Sequence, residues 1–296
     1  MKDGEQMKII NFGSCNIDYV YSLHHIVAPG ETEATSGMAV FPGGKGLNQS
    51  IAAARAGAEV VHVGYIGEDG KLLLDTLRES NVQTSYIKTW SGKSGHAIIQ
   101  LAANGENSIF LYPGANWQFT REYIDEVLDD FSDEDVVLLQ NEINDIEYIV
   151  EKAYQRNMVV VLNPSPFNEI IERIDLHKIA YLVLNEVEAK GFTGCEDVEG
   201  SLEYFHTHYP SLKIMLTLGG KGCVYMDETQ THYQAGNKVE VVDTTAAGDT
   251  FTGYFVTGLS EGKEISEVLQ LATNAAGISV SRKGAAPSIP YRCEVL

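Results

Sequence analysis

Asp243-Thr244-Thr245-Ala246-Ala247-Gly248-Asp249 sets two carboxylates on either side of a turn of small residues. Upstream, Val239 to Val242 read as a buried strand; downstream, Thr250 to Leu259 have the apolar spacing and length of a helix. The small side chains of Ala246, Ala247 and Gly248 leave consecutive backbone N–H groups open. Together with the positive end of the helix, these attract a phosphate or a developing negative charge. Asp249 falls in the first helical turn, within reach of a proton on a hydroxyl that attacks an anion held there. Taken singly, Asp243 and Asp249 would also suit ordinary helix-start acids.

Outward from this stretch, short Val/Ile-rich runs alternate with helical segments. Val60 to Ile66 precede Gly70 to Glu79, and Val136 to Leu139 precede Asp145 to Gln155; Val159 to Leu162, Tyr181 to Leu184 and Ile214 to Leu218 are further strands. The alternation predicts an α/β fold with a doubly wound, mainly parallel sheet flanked by helices, organised as one domain over 1–296. Two segments break the pattern, about 17–40 and 91–112, and read as hairpins outside the main sheet. Met1 to Gln6 are polar and read as a frayed extension.

A second Gly-rich turn opens an Ala-rich helix: Phe41-Pro42-Gly43-Gly44-Lys45-Gly46-Leu47-Asn48-Gln49-Ser50 runs into Ile51 to Ala58. Glycines there let backbone approach a small polar ligand, and Lys45 and Asn48 offer donors to its hydroxyls. The two strings, in this order and about two hundred residues apart, resemble the signatures of the ribokinase (PfkB-type) family of carbohydrate kinases. The likeness runs from about Lys8 to Pro290 and includes Gly13 to Asp18, Pro29 to Thr32, Gly105 to Ser108, Pro113 to Asn116, Leu162 to Pro166 and Arg282 to Ser288.

This resemblance implies an ATP-dependent kinase that phosphorylates the primary hydroxyl of a pentose, D-ribose first. Asp249 is then the catalytic base, with the amides of Gly248, Ala247 and Ala246 stabilising the transferred group. Asn16, Asp18, Gly44, Lys45, Gly46, Asn48 and Glu142 are implied as sugar contacts. Glu142 follows the apolar run Val136 to Gln140, which suits a ligand at a strand's carboxyl end. Asn185 and Glu188, in an Asn-x-x-Glu string, resemble the family's magnesium and phosphate motif, which acts through water. Thr217, Gly219, Gly220 and Gly222 resemble its nucleotide-binding stretch, and a tight hairpin is equally consistent with them. Asn274 lies one place from the adenine-side Asn, with Thr273 at the expected place. A potassium ion beside the anion trap is implied at Asp243, Thr245, Ser279, Arg282, Gly284 and Ser288, several of them through backbone oxygen. The two hairpin segments are implied to form a small β-sheet lid over the sugar, which also makes a homodimer contact. Leu47, His96 and Trp117 depart from the usual residues and bear on which sugar is taken.

Composition is that of a globular protein: 296 residues, 44% apolar and 21% charged. A formal charge of -20 argues against nucleic acid or an anionic membrane as the main partner, since both need a basic face. Cys15, Cys195, Cys223 and Cys293 show neither CxxC pairing nor metal spacing, which suits free thiols in a reducing compartment. No long apolar stretch or basic-then-apolar leader is seen, so a cytoplasmic protein without a membrane span is expected. Neither GxxxxGK[ST] nor GxGxxG occurs, which removes P-loop and Rossmann phosphate sites. A kinase for another furanose or a nucleoside, and a non-catalytic sugar- or nucleotide-binding regulator on the same fold, stay open.

Overall fold

The computed structural model describes residues 7–296; the extension Met1 to Gln6 lies outside the described residues. In chain order the strands are β1 (Lys8–Phe12), β2 (Asn16–Leu23), β3 (Gly37–Gly43), β4 (Glu59–Ile66), β5 (Gln83–Thr89), β6 (Gly95–Ala102), β7 (Asn107–Tyr112), β8 (Val136–Gln140), β9 (Val159–Asn163), β10 (Tyr181–Asn185), β11 (Lys213–Thr217), β12 (Gly222–Met226) and β13 (Thr231–Ala235). The helices are α1 (Lys45–Ala56), α2 (Lys71–Glu79), α3 (Arg121–Asp129), α4 (Ile146–Gln155), α5 (Glu186–Thr193), α6 (Val198–His208), α7 (Ala247–Ser260), α8 (Ile265–Val280) and α9 (Arg292–Val295).

Nine strands form one sheet in the order β13-β12-β11-β10-β9-β8-β1-β4-β5. It is parallel from β11 to β5, and β12 and β13 add an antiparallel edge. Alternate residues of the fully buried β8 show why both faces need cover. Val137 and Leu139 pack with Ile124 of α3 and Ile149 of α4, while Val136 and Leu138 pack with Ile51 of α1 and Phe255 of α7. The continuous apolar runs of the sequence follow from burial on two sides. The expected doubly wound sheet is therefore present.

The two hairpin segments meet as a second sheet of four strands, β3-β2-β6-β7. Its centre is a parallel pairing of β2 with β6, so the two segments, expected to form a lid, make one sheet rather than two separate hairpins.

One expected strand does not form. Val239 to Val242 are irregular and Val241 is 61% exposed. The edge of the sheet is already closed by β13, and the Val242 N–H donates instead to the Val280 carbonyl at the end of α8 (2.8 Å). Val239 and Val241 turn toward a cleft rather than into a sheet.

Helices α1 and α7 cross closely, and Gly253 is the reason. A side chain there would put its first carbon 2.4 Å from the Ala52 methyl, closer than packed atoms come. Among the described residues no helix is long and apolar enough to cross a membrane. His25 lies at the surface between Glu31 and Glu33, at 2.8 and 3.3 Å. All four cysteines are free.

Candidate active site

Parallel strands deliver their carboxyl ends to one edge of the sheet, where ligands bind in open α/β folds. That edge collects Ser14 to Asn16 after β1, Glu142 after β8, Asn163 at the end of β9, Asn185 at the end of β10 and Thr217 at the end of β11.

Helix α7 opens at the same edge. Its N-cap, Ala246, has φ 60°, a left-handed conformation that costs a non-glycine residue about 1 kcal/mol or more. Such strain marks a turn held by its surroundings. The N–H of Ala247 is taken by the Thr244 carbonyl at 3.2 Å, whereas those of Ala246 and Gly248 make no hydrogen bond among the described residues. Of the three consecutive amides expected to be open, those of Ala246 and Gly248 are free among the described residues and that of Ala247 is partly occupied.

Asp249 is 8% exposed. Its Oδ2 accepts from Asn48 Nδ2 at 3.0 Å and its Oδ1 from Gln49 Nε2 at 2.9 Å, both donors coming from the first turn of α1. That turn is set by Gly44, the N-cap of α1, whose φ of 95° a side chain would resist. Of Asn48's own amide, Nδ2 goes to Asp249 while the buried Oδ1 has no partner. Lys45 follows Gly44. Burial works against its ammonium, but the nearby carboxylates of Asp249, Glu142 and Glu188 outweigh this and raise its pKa above the ordinary lysine range.

Glu142 is pinned by two donors, the Ser14 hydroxyl and, at 2.9 Å, the Lys45 N–H. Burial raises its pKa, Lys45 and Ser14 oppose the rise, and Asp249 adds to it. Asp18, on the lid strand β2, is pushed up to about 7 by burial and then by Glu142. Asn16 joins lid to core: its Oδ1 accepts from Asn116 Nδ2 (2.7 Å), and Asn116 Oδ1 accepts from the Cys15 N–H (2.9 Å).

Two cavities meet at the start of α7. The larger, about 760 Å³, is lined by Thr217, Gly219, Gly220, Gly222, Asn237, Val239, Val241, Phe251, Thr273 and Gly277. The smaller, about 250 Å³, is lined by Lys45, Asn163, Asn185, Glu188 and Asp249. Thr217, Thr244, Ala247 and Gly248 belong to both. The large cleft suits an extended ligand with a planar apolar end. The small, charged one suits its polar tip, beside a carboxylate and an ammonium.

Asn185 and Glu188 form a capping box at the start of α5. Asn185 Oδ1 accepts from the Glu188 N–H (2.9 Å) and Glu188 Oε2 from the Asn185 N–H (3.0 Å). Thr217 and its glycines make a hairpin as well as a cavity wall, with Thr217 facing Cys223 in the antiparallel pair.

The loop expected to hold a monovalent ion is assembled around Asp243. Its Oδ1 accepts from Thr245 N–H and hydroxyl (2.9 and 2.6 Å), and its Oδ2 from the Gly284 N–H (2.9 Å). Ser279 and Ser288 bond each other through their hydroxyls (2.9 Å) and are fully buried. The Arg282 guanidinium points elsewhere, to Glu294 at 2.7 Å.

Asn274 stands apart from the cleft. Its Oδ1 accepts from Asn237 and Gln270 (3.0 and 2.7 Å), and Thr273 lines the wall in its place. Leu47 is fully buried in the core. His96 packs in the lid against Tyr19 and Tyr112, and Trp117 is 53% exposed. Ser14, Gln49, Asn116 and Asn163 carry hydrogen bonds at the site that the sequence did not single out. The signal for Gln49 was its place beside Asn48 in a helix's first turn; for Asn163, its place at a strand's carboxyl end.

Residues 6–292 match the model of the pfkB family carbohydrate kinases. The chain is 37% identical to a ribokinase of Haemophilus influenzae over 294 residues, covering 96% of this chain and 95% of that one. Among solved structures, a ribokinase from Thermotoga maritima superposes with a TM-score of 0.87 at 34% identity, covering 98% of each chain. Arabidopsis thaliana ribokinase complexed with ribose and ATP does so with a TM-score of 0.87 at 30% identity, covering 99% of this chain and 98% of that one. A family model matched over nearly the whole chain and relatives above 30% identity make the conclusion plain: the chain belongs to the pfkB family of carbohydrate kinases.

Proposed function

We propose that this kinase transfers the γ-phosphoryl group of ATP to the primary hydroxyl of a pentose, D-ribose first, giving ribose 5-phosphate and ADP. The observation that carries the reading is Asp249. It is a buried carboxylate with a donor on each oxygen, in the first turn of α7, between open backbone amides and a cluster of polar groups sized for a sugar. The relatives named above are ribokinases, and one of their structures contains ribose and ATP.

In this reading the nucleotide lies in the large cleft with its terminal phosphate in the small one. Asp249 accepts the proton of the sugar hydroxyl as its oxygen forms a bond to the γ-phosphorus, and the bond from that phosphorus to the β-phosphate oxygen breaks to release ADP. Catalysis of this kind is mainly positioning and charge stabilisation. Lys45 and the amides of Ala246, Ala247 and Gly248 face the charge on the transferred group. Asn16, Asp18, Gly44, Gly46, Asn48 and Glu142 orient the sugar. The partnerless Oδ1 of Asn48 supports this, because a buried acceptor gains most from a ligand hydroxyl.

Asn185 and Glu188 would hold hydrated magnesium, and their carboxamide and carboxylate oxygens fit a hard cation that keeps its water. Magnesium would supply neutralisation of the phosphate charge. Asp243, Thr245 and Gly284 fit a potassium ion through carboxylate and backbone oxygen. The Arg282 guanidinium, itself a cation, could serve only through its carbonyl, and the paired hydroxyls of Ser279 and Ser288 back the loop. Activity that stays flat in a potassium titration from potassium-free buffer would remove that site. The exposed apolar lid face supports a homodimer formed through it, and the acidic surface a cytoplasmic enzyme without nucleic-acid or membrane partners.

The test of substrate is ATP consumption across a panel of pentoses, hexoses and nucleosides. Ribose is expected to give the highest kcat/KM. A hexose or nucleoside that outperforms it would overturn the ribose assignment and leave the kinase.

A further inference from the structure

We propose that Gln49 is a positioning residue for the catalytic base: a one-way relay of buried amides aims its N–H at Asp249 and holds the carboxylate ready to accept a proton. The inference rests on Asp249 being that base.

The Gln49 side chain is fully buried and three contacts fix it. Its Nε2 donates to Asp249 Oδ1 at 2.9 Å and to Asn163 Oδ1 at 3.0 Å, and its Oε1 accepts from Gln140 Nε2 at 2.8 Å. Turned end for end, an amide keeps its shape, so its neighbours decide which way it points. Here both neighbours are fixed by backbone carbonyls, which can only accept. Asn163 Nδ2 donates to the Val183 carbonyl at 2.8 Å, which leaves its Oδ1 facing Gln49. Asn11 Nδ2 donates to the Gly46 carbonyl at 2.8 Å; its Oδ1 therefore accepts from Gln140 Nε2 at 3.0 Å, and the same nitrogen of Gln140 is directed at Gln49. A turned Gln49 would set oxygen against the oxygens of Asn163 and Asp249, and nitrogen against nitrogen of Gln140. Only one orientation satisfies all three contacts.

Asn48 and Gln49 are adjacent and both bond Asp249, yet they differ. Asn48 keeps a spare acceptor for a ligand. In Gln49 both N–H groups and the carbonyl oxygen are committed within the core, so it acts on the reaction only through Asp249. The relay continues from Asn11 to Ser50 (2.8 Å) and from Ser50 to His62 (2.8 Å). Burial pulls the pKa of His62 down to about 4, so it is neutral there, and its Nε2 lies 3.2 Å from the buried Cys15 Sγ; no charge enters the relay at this end. A carboxylate held at each oxygen by a separate donor cannot swing away from the incoming hydroxyl, and a misplacement of about 1 Å costs on the order of a hundredfold in rate.

The test is a double-mutant cycle read as kcat and KM. Gln49→Leu should lower kcat by about tenfold or more and move both KM values by less than about twofold. In an Asp249→Asn background it should cost nothing further, since the group it positions is gone. Loss of the same factor in both backgrounds, or a change carried by KM, would overturn the proposal. If Gln49→Leu does not accumulate as folded protein, Gln49→Glu takes its place. It keeps the side-chain shape and the oxygen toward Gln140, but sets an oxygen against Asp249. The same kcat loss at constant KM is expected, and a normal kcat overturns the proposal. Wild-type protein that consumes no ATP with any sugar, or Asp249→Asn with normal turnover, would instead defeat the reading beneath it.

Discussion

The two sheets of this kinase meet at the candidate site and are built on opposite terms. In the nine-stranded sheet β8 is buried along its whole length, whereas in the lid β7 leaves Ile109, Phe110, Leu111 and Tyr112 about half exposed. The core fixes two carboxylates of the candidate site with two hydrogen bonds each. Glu142 and Asp249 are held by donors from the turn after β1 and the first turn of α1, which cannot shift without disturbing the core. Asn16 and Asp18 come from the second sheet, whose edge strand β7 is exposed on both faces. In the proposed reaction, chemistry would belong to the rigid body and recognition would be shared with the more weakly supported one. The second sheet also leaves Met38, Val40 and Phe41 exposed, and apolar side chains left open along such strands call for a cover.

This contrast can be broken at its core end first. Asp249→Asn should lower turnover by about a hundredfold or more while sugar and ATP binding, followed by calorimetry, stay close to wild type. Near-normal turnover would mean that the core does not supply the base.

At the lid end the effect should be smaller and of a different kind. Asp18→Ala should raise the ribose KM by about tenfold, since an unpaired buried hydroxyl partner costs about 1 to 3 kcal/mol, and leave the ATP KM nearly unchanged. A fall in kcat at constant KM would place Asp18 in the chemistry instead.

The outer face can be tested without touching the site. Phe110→Asp should convert a dimer to monomers in sedimentation, because a charge would be buried in an apolar contact. A wild-type protein that already sediments as a monomer would remove the lid contact.

A further effect is expected on stability, away from the reaction. Asp18, pushed up to about 7, holds its proton in the folded state where the unfolded chain has released it. The folded state binds the extra proton between about pH 4 and 7, so stability falls as pH rises through that window, by about 1.4 kcal/mol per pH unit at most. Asp18→Asn should flatten this slope in denaturant titrations. An unchanged slope would show that the carboxyl is not desolvated by the lid.

How far these features were readable from sequence follows from the range of the forces involved. The strands of the core are continuous apolar runs, and β8 to β11 could be placed within a residue or two because burial on both faces leaves a local signature. Val239 to Val242 carry the same local signature and form no strand, because what they cover is a cleft and what receives their backbone is the end of α8. The base and its turn were legible as a string. The contacts of Asp249 with Asn48 and Gln49 were not, since they join positions about two hundred residues apart through the close crossing of α1 and α7. Likewise, the pairing of β2 with β6 that turns two hairpins into one lid is a long-range register that neither segment states alone.

The central claim is that Asp249 deprotonates the primary hydroxyl of a pentose for attack on ATP, and the position of phosphate on the product tests it most directly. With ribose, ATP and wild-type enzyme, carbon–phosphorus coupling in the NMR spectrum of the product should place the new phosphate on C5, and 5-deoxyribose should drive no ATP consumption. A phosphate on another carbon, or ATP consumed equally well with 5-deoxyribose, would contradict the account.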